Sequence, residues 1–294
     1  MIKSNNMNEY VYLNDQLVKS EDAHLSIHDT GIMHGVGLFE TMRCYGSIIP
    51  YLDDHINRLF NSAQTLDIHI TQDVSDIING IHEVIKANNL SEGRLRLTVT
   101  PGALNQLISE ASSISTLIIT GSPLIAYPDT HYKKGIHVII APYKENKDDP
   151  TAGHKTINFF KRLIVLQQAK ALKATEAFWF TTTNRLAEGC ISNIFIVKDN
   201  IIYTPPIDTP VLPGIIRQQV IRLADQNKIK LNEQDIVIHD LLSADEVFIT
   251  NSIMEIMPVI KIEAHRVGNG APGEIFKQLN NLFIIDRKKA ASSG

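Results

Sequence analysis

The residues of this chain best suited to chemistry lie in four short stretches of its second half. His154-Lys155-Thr156-Ile157-Asn158 sets a lysine amine between a polar loop and an apolar helical pattern. Arg185-LAEGCISNIF sets the carboxylate of Glu188 at a turn that enters a strand pattern. Thr204-PPIDTPVLPGIIR brings a Pro213-Gly214 break onto a helix start, followed by Arg217, and Phe248-ITNSIMEIMPV ends a strand on Thr250, Asn251 and Ser252. Taken singly, each has an ordinary explanation: a solvated charge, an exposed acid or cap, a helix start signal. The motifs GxSxG and HExxH, a P-loop and a strand–GxGxxG–helix are absent. His24 and His28 stand four apart with nothing beside them to complete a metal site, so no metal is expected.

Strands and helices must position these stretches. Tyr10-VYLN-Asp15 and Gln16-LVK read as a strand, a turn and a strand, and LFETMRCY as a further strand. From Asp53 to about Leu66 the apolar residues Ile56, Leu59, Phe60, Ala63 and Leu66 recur at helical spacing, with Asp53 as candidate N-cap. A second helix is expected from Val74 to about Leu90, then strands at Arg94-LRLTVT and Ser115-TLIITG. The second half reads as strand Gly135-IHVIIAP, helix Asn158–Ala174, strand Ala177-FWFTT, and a hairpin turning on Asp199-Asn200. A helix from Ile215 to Gln226, the strands Glu246-VFIT and Met257-PVIKI, and a helix near Pro272–Leu282 complete the chain. The expected fold is α+β in two domains: a small domain over 1–126, a linker over 127–134 and a larger domain over 135–294 that carries Lys155.

Composition narrows the function classes. With 44% hydrophobic and 20% charged residues, the chain of 294 has the makeup of a globular protein, not a disordered one. Its 28 Lys and Arg against 32 Asp and Glu give a formal charge of −4, without the basic footprint of a nucleic-acid binder. Two cysteines, Cys44 and Cys190, are too few for a disulfide framework or a four-thiolate zinc site. The opening MIKSNNMNEY has no signal-peptide pattern and no apolar run has the length of a membrane span, so a cytoplasmic location and no membrane partner are expected.

As a set, the motifs carry more than each alone. Glu188-GCISNIF, Thr204 and Leu212-PGIIR, with Tyr12-LNDQLV, Asp29-TGIMHGVGLFETMR and His55-INRL-Phe60-NSA in the first half, span nearly the whole chain. In this order and spacing the sequence resembles the class-IV aminotransferases, the fold-type IV enzymes that use pyridoxal 5'-phosphate. That family includes branched-chain and D-amino-acid aminotransferases and 4-amino-4-deoxychorismate lyase. The resemblance implies a D-amino-acid aminotransferase-like fold, pyridoxal phosphate as cofactor and a homodimer.

It also implies roles. Lys155 matches the family's cofactor lysine, whose amine condenses with the cofactor aldehyde and then serves as base at the substrate Cα. Glu188 matches the carboxylate that pairs with the pyridine nitrogen. For the phosphate, the matching groups are the backbone N–H of Ile215 and Ile216 at a helix N-terminus, the Arg58 guanidinium, and Ser252 with Asn251. Without the resemblance, Arg58 reads as an i,i+4 partner of Asp54 on an exposed helix face. Phe159 and Phe160 stand where branched-chain enzymes carry a tyrosine that meets the ring oxygen, which leaves Thr156 or a water for that contact and makes the pair candidates for core.

On the substrate side, Arg94 and Arg96 alternate on one strand and share a face, either to meet a substrate carboxylate or to form an exposed strand surface. His34 and Thr41 fall near the family's substrate pocket or serve packing. The Leu242-SADEVFITNSIMEIMPVIKIE stretch, with Asn251-Ser252 in place of a Gly-Thr pair, resembles the lyases, as does Thr181-TTNRLAEGCISNIF. The expected activity is therefore conversion of 4-amino-4-deoxychorismate to p-aminobenzoate and pyruvate. The alternative is transfer of an amino group from branched-chain or D-amino acids to a 2-oxo acid. A relative that binds cofactor without turnover is disfavoured by the presence of both Lys155 and Glu188.

Overall fold

Alternating apolar residues build the first sheet. In the computed structural model, which describes residues 9–103 and 114–290, β1 (Tyr10–Leu13) and β2 (Gln16–Lys19) form the expected hairpin, Val11 opposite Val18. Most of the opening segment read for a signal peptide lies outside the described residues. The short helix α1 (Thr30–His34) precedes β3 (Leu38–Tyr45). With β4 (Glu92–Thr100) and β5 (Thr116–Pro123), the strands make an antiparallel sheet in the order β2-β1-β5-β4-β3. Period two sends Leu38, Met42 and Cys44 of β3 and Leu95, Leu97 and Val99 of β4 to one face. That face is covered by α2 (Leu52–Thr65) and α3 (Val74–Ala87) through Ile56, Leu59, Ile77, Ile81 and Val84.

The ends of these two helices differ from the sequence reading by a turn or less, whereas the C-terminal helix, read as near Pro272–Leu282, runs from Glu274 to Ala290. Asp53 is not the N-cap of α2: Tyr51 holds that place at φ +61° and gives no side-chain cap. Asp53 instead lies in the first turn, where its charge still suits the unpaired N–H groups. Helix α3 stops at Ala87 rather than Leu90, and Leu90 turns back into the core.

The second sheet contains β6 (Ile136–Glu145), β7 (Glu176–Thr181), β8 (Leu186–Gly189), β9 (Asn193–Lys198), β10 (Ile201–Thr204), β11 (Leu231–Glu233), β12 (Glu246–Asn251), β13 (Glu255–Ile262) and β14 (His265–Arg266). Its order is β11-β10-β9-β12-β13-β6-β7-β8, with β14 on β13. The pairs β13–β6, β6–β7 and β10–β11 are parallel and the rest antiparallel. All six residues of β7 are buried, as expected of a strand inside a sheet with parallel pairing. Asp199 and Asn200 both take positive φ, +50° and +60°, which is the two-residue hairpin turn their identity predicts. The helices of this half are α4 (Asp129–Lys134), in the stretch read as linker, α5 (Phe160–Ala171), α6 (Ile215–Gln226), α7 (Ile238–Leu242) and α8 (Glu274–Ala290).

The chain divides into two compact units. The first holds the described residues up to Ile125 together with His154–Asn158, and the second holds Ala126–Gly153 and Phe159–Lys289. The sequence reading put Lys155 in the larger domain; strand pairing groups it with the first unit instead.

The first unit's core rests on buried apolar side chains. Ile81 is fully buried in α3, so Ile81→Ala is expected to cost about 2–5 kcal/mol of unfolding free energy. A urea titration followed by far-UV circular dichroism measures it.

Candidate active site

Lys155 owes its position to backbone pairing. The N–H of Phe39 donates to the Lys155 carbonyl at 2.9 Å, and the N–H of Ile157 donates to the Gly37 carbonyl at 3.0 Å. Leu38 and Thr156 thus face each other as an antiparallel bridge that extends the sheet beyond the start of β3. Gly37 is required by close approach, since a Cβ there would lie 2.6 Å from the Val99 carbonyl oxygen. On the other side of the lysine, His154 Nδ1 lies 2.9 Å from Ser62 Oγ on α2. The Lys155 ammonium rests 4.5 Å from the centre of the Phe39 ring.

Around that lysine the first unit collects charge. Glu40 of β3 is 1% exposed and accepts from Arg58 through both oxygens, Nε to Oε1 at 2.8 Å and Nη2 to Oε2 at 2.6 Å. His55 Nδ1 sits 2.7 Å from Glu40 Oε2. Burial alone pushes the Glu40 carboxyl up, but the Arg58 guanidinium and the His55 hydrogen bond outweigh it and hold the group at about 2. Burial also pushes the His55 imidazole down and outweighs the pull of Glu40. Arg58 is therefore buried and turned into the core, not lying on an exposed helix face as its pairing with Asp54 would require.

The substrate-side candidates separate. Thr41 of β3 stands directly opposite Arg96 of β4, and the Arg96 guanidinium stacks over the Phe39 ring at 3.9 Å. Half-buried Arg96 has no carboxylate partner among the described residues, and burial together with Arg94 pushes it below the ordinary arginine value. Lys155 and Arg96 thus both lie over one aromatic ring, that of Phe39. Arg94 is exposed and stands opposite Arg43, while His34 is exposed at the end of α1.

In the second unit Glu188 is held by both oxygens. Arg162 Nη2 donates to Oε1 at 2.8 Å, and the Leu212 N–H donates to Oε2 at 2.8 Å. Arg162 also donates to the Gly189 carbonyl at 2.6 Å, pairs with Glu145 at 3.0 Å and lies 5.0 Å from the Trp179 ring. Burial works against its charge, but Glu188 and Glu145 raise it above the ordinary arginine value. Phe159 and Phe160 are not core: Phe160 is 72% exposed and Phe159 is half-buried at the start of α5. Thr156 faces Leu38 without bonding to it; the bonds on either side come from the Lys155 carbonyl and the Ile157 N–H.

Helix α6 begins at Gly214 with no side-chain cap, so the N–H groups of Ile215 and Ile216 have no acceptor from a cap. Asn193 closes over this helix start, and a Cβ on Gly214 would come within 1.8 Å of its Oδ1. Thr250, opposite Asn193 in the sheet, is 1% exposed, and its hydroxyl has no hydrogen-bond partner among the described residues. Asn251 braces the neighbouring turn, with Oδ1 accepting from Ile253 and Met254 N–H and Nδ2 donating to the Ile191 carbonyl; Ser252 sits in that turn. Arg217 is buried and ties α6 to Pro205 and Glu233. Cys190, pushed up to about 12 chiefly by burial, takes no part in thiolate chemistry.

Neither Glu40 nor Arg162 is expected from the sequence reading. A signal existed for Glu40: it is a charge at a core-facing position of a strand whose neighbours Leu38 and Met42 are apolar. Arg162, on a helix with mixed faces, gives none.

The sequence and fold have known counterparts. The family model for amino-transferase class IV matches residues 37–262. A putative branched-chain-amino-acid aminotransferase of Methanocaldococcus jannaschii is 34% identical over 95% of this chain and 96% of its own. The Escherichia coli branched-chain amino acid aminotransferase superposes with a TM-score of 0.89 at 27% identity, covering 95% of this chain and 94% of the other. A putative 4-amino-4-deoxychorismate lyase from Legionella pneumophila gives 0.81 at 27% identity, over 91% and 97%. This chain belongs to the class-IV aminotransferases, with their α+β fold and their cofactor, pyridoxal phosphate. Each unit carries groups that suit it: the lysine amine in the first, and in the second a braced carboxylate, an uncapped helix start and a buried hydroxyl without a partner among the described residues.

The Glu40 and His55 shifts set a pH dependence. Glu40 is ionised in the fold down to about 2, against 4.5 ordinarily, so its stabilisation is complete above pH 4.5 and lost as pH falls towards 2. His55 acts in the same sense from pH 6.5 downward, because the unfolded chain takes up a proton that the buried imidazole resists. Thermal melts from pH about 7.5 to about 2.5 should show both losses. Glu40→Gln should flatten the lower one relative to wild type.

Proposed function

We propose that this chain is a pyridoxal-phosphate aminotransferase that moves an amino group between a small amino acid, of the branched-chain or D-amino-acid kind, and a 2-oxo acid. The observation that carries the reading is the backbone-fixed Lys155 over the same Phe39 ring on which Arg96 stacks. The whole-length relatives named as branched-chain aminotransferases support it.

When bound, the cofactor supplies an electron-withdrawing ring that acidifies the substrate Cα–H bond. Lys155 removes that proton and returns one, and its fixed backbone keeps the amine within a narrow range of positions for both transfers. Glu188 pairs with the ring nitrogen, and its bonds to Arg162 and the Leu212 N–H fix the carboxylate's orientation. In the second unit the α6 start, with Ser252 and the turn that Asn251 braces, would hold the phosphate, and in the first unit the phosphate ligand would be Arg58. Arg96 would offer its guanidinium to the substrate carboxylate, with Thr41 opposite it in the sheet.

A second reading, elimination from 4-amino-4-deoxychorismate, is favoured by the Asn251-Ser252 pair and by the Legionella neighbour. Purified enzyme with added pyridoxal phosphate separates the two. Amino-acid donors with a 2-oxo acid should yield the exchanged pair. If 4-amino-4-deoxychorismate without acceptor instead gives p-aminobenzoate and pyruvate over many turnovers, the transfer reading is wrong. Lys155→Ala should abolish either activity.

The reading includes a homodimer in the cytoplasm, as the resemblance implies. Light scattering at micromolar concentration should give twice the chain mass.

A further inference from the structure

Helix α2 carries a buried polar stripe that the activity has not yet accounted for. His55, Arg58 and Ser62 recur at spacings of three and four on one face, all buried, beside the apolar Ile56, Leu59 and Ala63. Ser62 meets His154, next to the cofactor lysine. The other two converge on Glu40, a carboxylate with no other evident task, set among core residues where an uncompensated charge would be costly.

The geometry of that cluster is directional. Glu40 takes the Nε and Nη2 edge of Arg58 in the parallel two-bond arrangement that fixes a guanidinium's plane as well as its place. An Nε and an Nη2 donor of the guanidinium are thereby committed to Glu40. His55 binds the same Oε2 that Nη2 uses, so the carboxylate cannot rotate without breaking a bond to each partner. A long arginine side chain otherwise samples many rotamers, and fixing it before a ligand arrives removes that entropy from the cost of binding.

We propose that Glu40 and His55 are positioning residues for the cofactor phosphate: Glu40 sets the plane of the Arg58 guanidinium, and His55 locks Glu40. The proposal rests on the reading of Arg58 as a phosphate ligand. It assigns the cluster to anion recognition instead of to folding alone, and it predicts an effect specific to the phosphate.

The test compares affinity for pyridoxal phosphate with affinity for pyridoxal, which lacks the phosphate, by equilibrium dialysis against the apoprotein. Wild type, Arg58→Met, Glu40→Gln and His55→Gln are measured, each checked for native near-UV circular dichroism. Arg58→Met should collapse the phosphate preference. Glu40→Gln should lower it by about tenfold or more, the scale of one lost charge-assisted hydrogen bond, while pyridoxal affinity stays near wild type. His55→Gln should give a smaller loss of the same kind.

If Glu40→Gln keeps the wild-type preference while Arg58→Met loses it, the positioning role is overturned and the Arg58 reading stands. If Arg58→Met keeps the preference, that reading fails and takes the proposal with it. A fall in both affinities by the same factor shows a purely structural ion pair and also overturns the proposal. Should Glu40→Gln not fold, His55→Gln decides, and an unchanged preference there counts against it.

Discussion

Two backbone hydrogen bonds between residues 155–157 and residues 37–39 hold the centre of this protein in place. A lysine on a free loop would spread its amine over many positions, and proton transfer at a defined carbon tolerates little of that. Here the two peptide units that follow Lys155 are treated as sheet. The chain enters the first unit for His154–Asn158 and then leaves it, so the lysine is held by strand pairing although its own segment is too short to form a strand. Gly37 makes this possible, because any side chain there would strike the Val99 carbonyl.

The charged groups obey a second constraint. Buried charges are tolerated only with partners, and Glu40 and Glu188 are each held by a cation and by a further donor. Glu40 has Arg58 and His55; Glu188 has Arg162 and the Leu212 N–H. Glu176, fully buried, takes N–H groups of Ala177, Cys190 and Ile191 and the Ser192 hydroxyl, and burial still pushes it above the ordinary carboxylate range. It stabilises the turn just after Glu188, which suits a structural role. Arg96 is the contrary case, a half-buried guanidinium stacked on Phe39 with no carboxylate of its own among the described residues, as expected where an anion arrives from outside.

Membership of the class-IV aminotransferases accounts for the fold and for pyridoxal phosphate, while the choice of substrate rests on a few side chains. Relatives named for transfer and for elimination share this architecture at comparable identity. The machinery for acidifying a Cα–H bond is common to both reactions. The fate of the substrate after that proton leaves depends on the groups about it; Arg96 shares the Phe39 ring with Lys155.

The sequence by itself determined the local elements and the chemical inventory. Alternation along Tyr10–Leu13, the helical recurrence of Ile77, Ile81 and Val84, and the Asp199-Asn200 turn are short-range steric facts, and each appears where expected. Lys155, Glu188 and the Gly214 helix start were legible because their motifs are local runs of residues. Which side chains meet was decided by tertiary structure. Arg58 turns from Asp54 on its own helix to Glu40 on a strand, and Phe160 lies exposed where the sequence suggests core. Arg162 reaches Glu188 across 26 residues of sequence. Lys155 joins the first unit because its backbone completes a sheet edge there, a pairing between residues more than a hundred positions apart that no local pattern encodes.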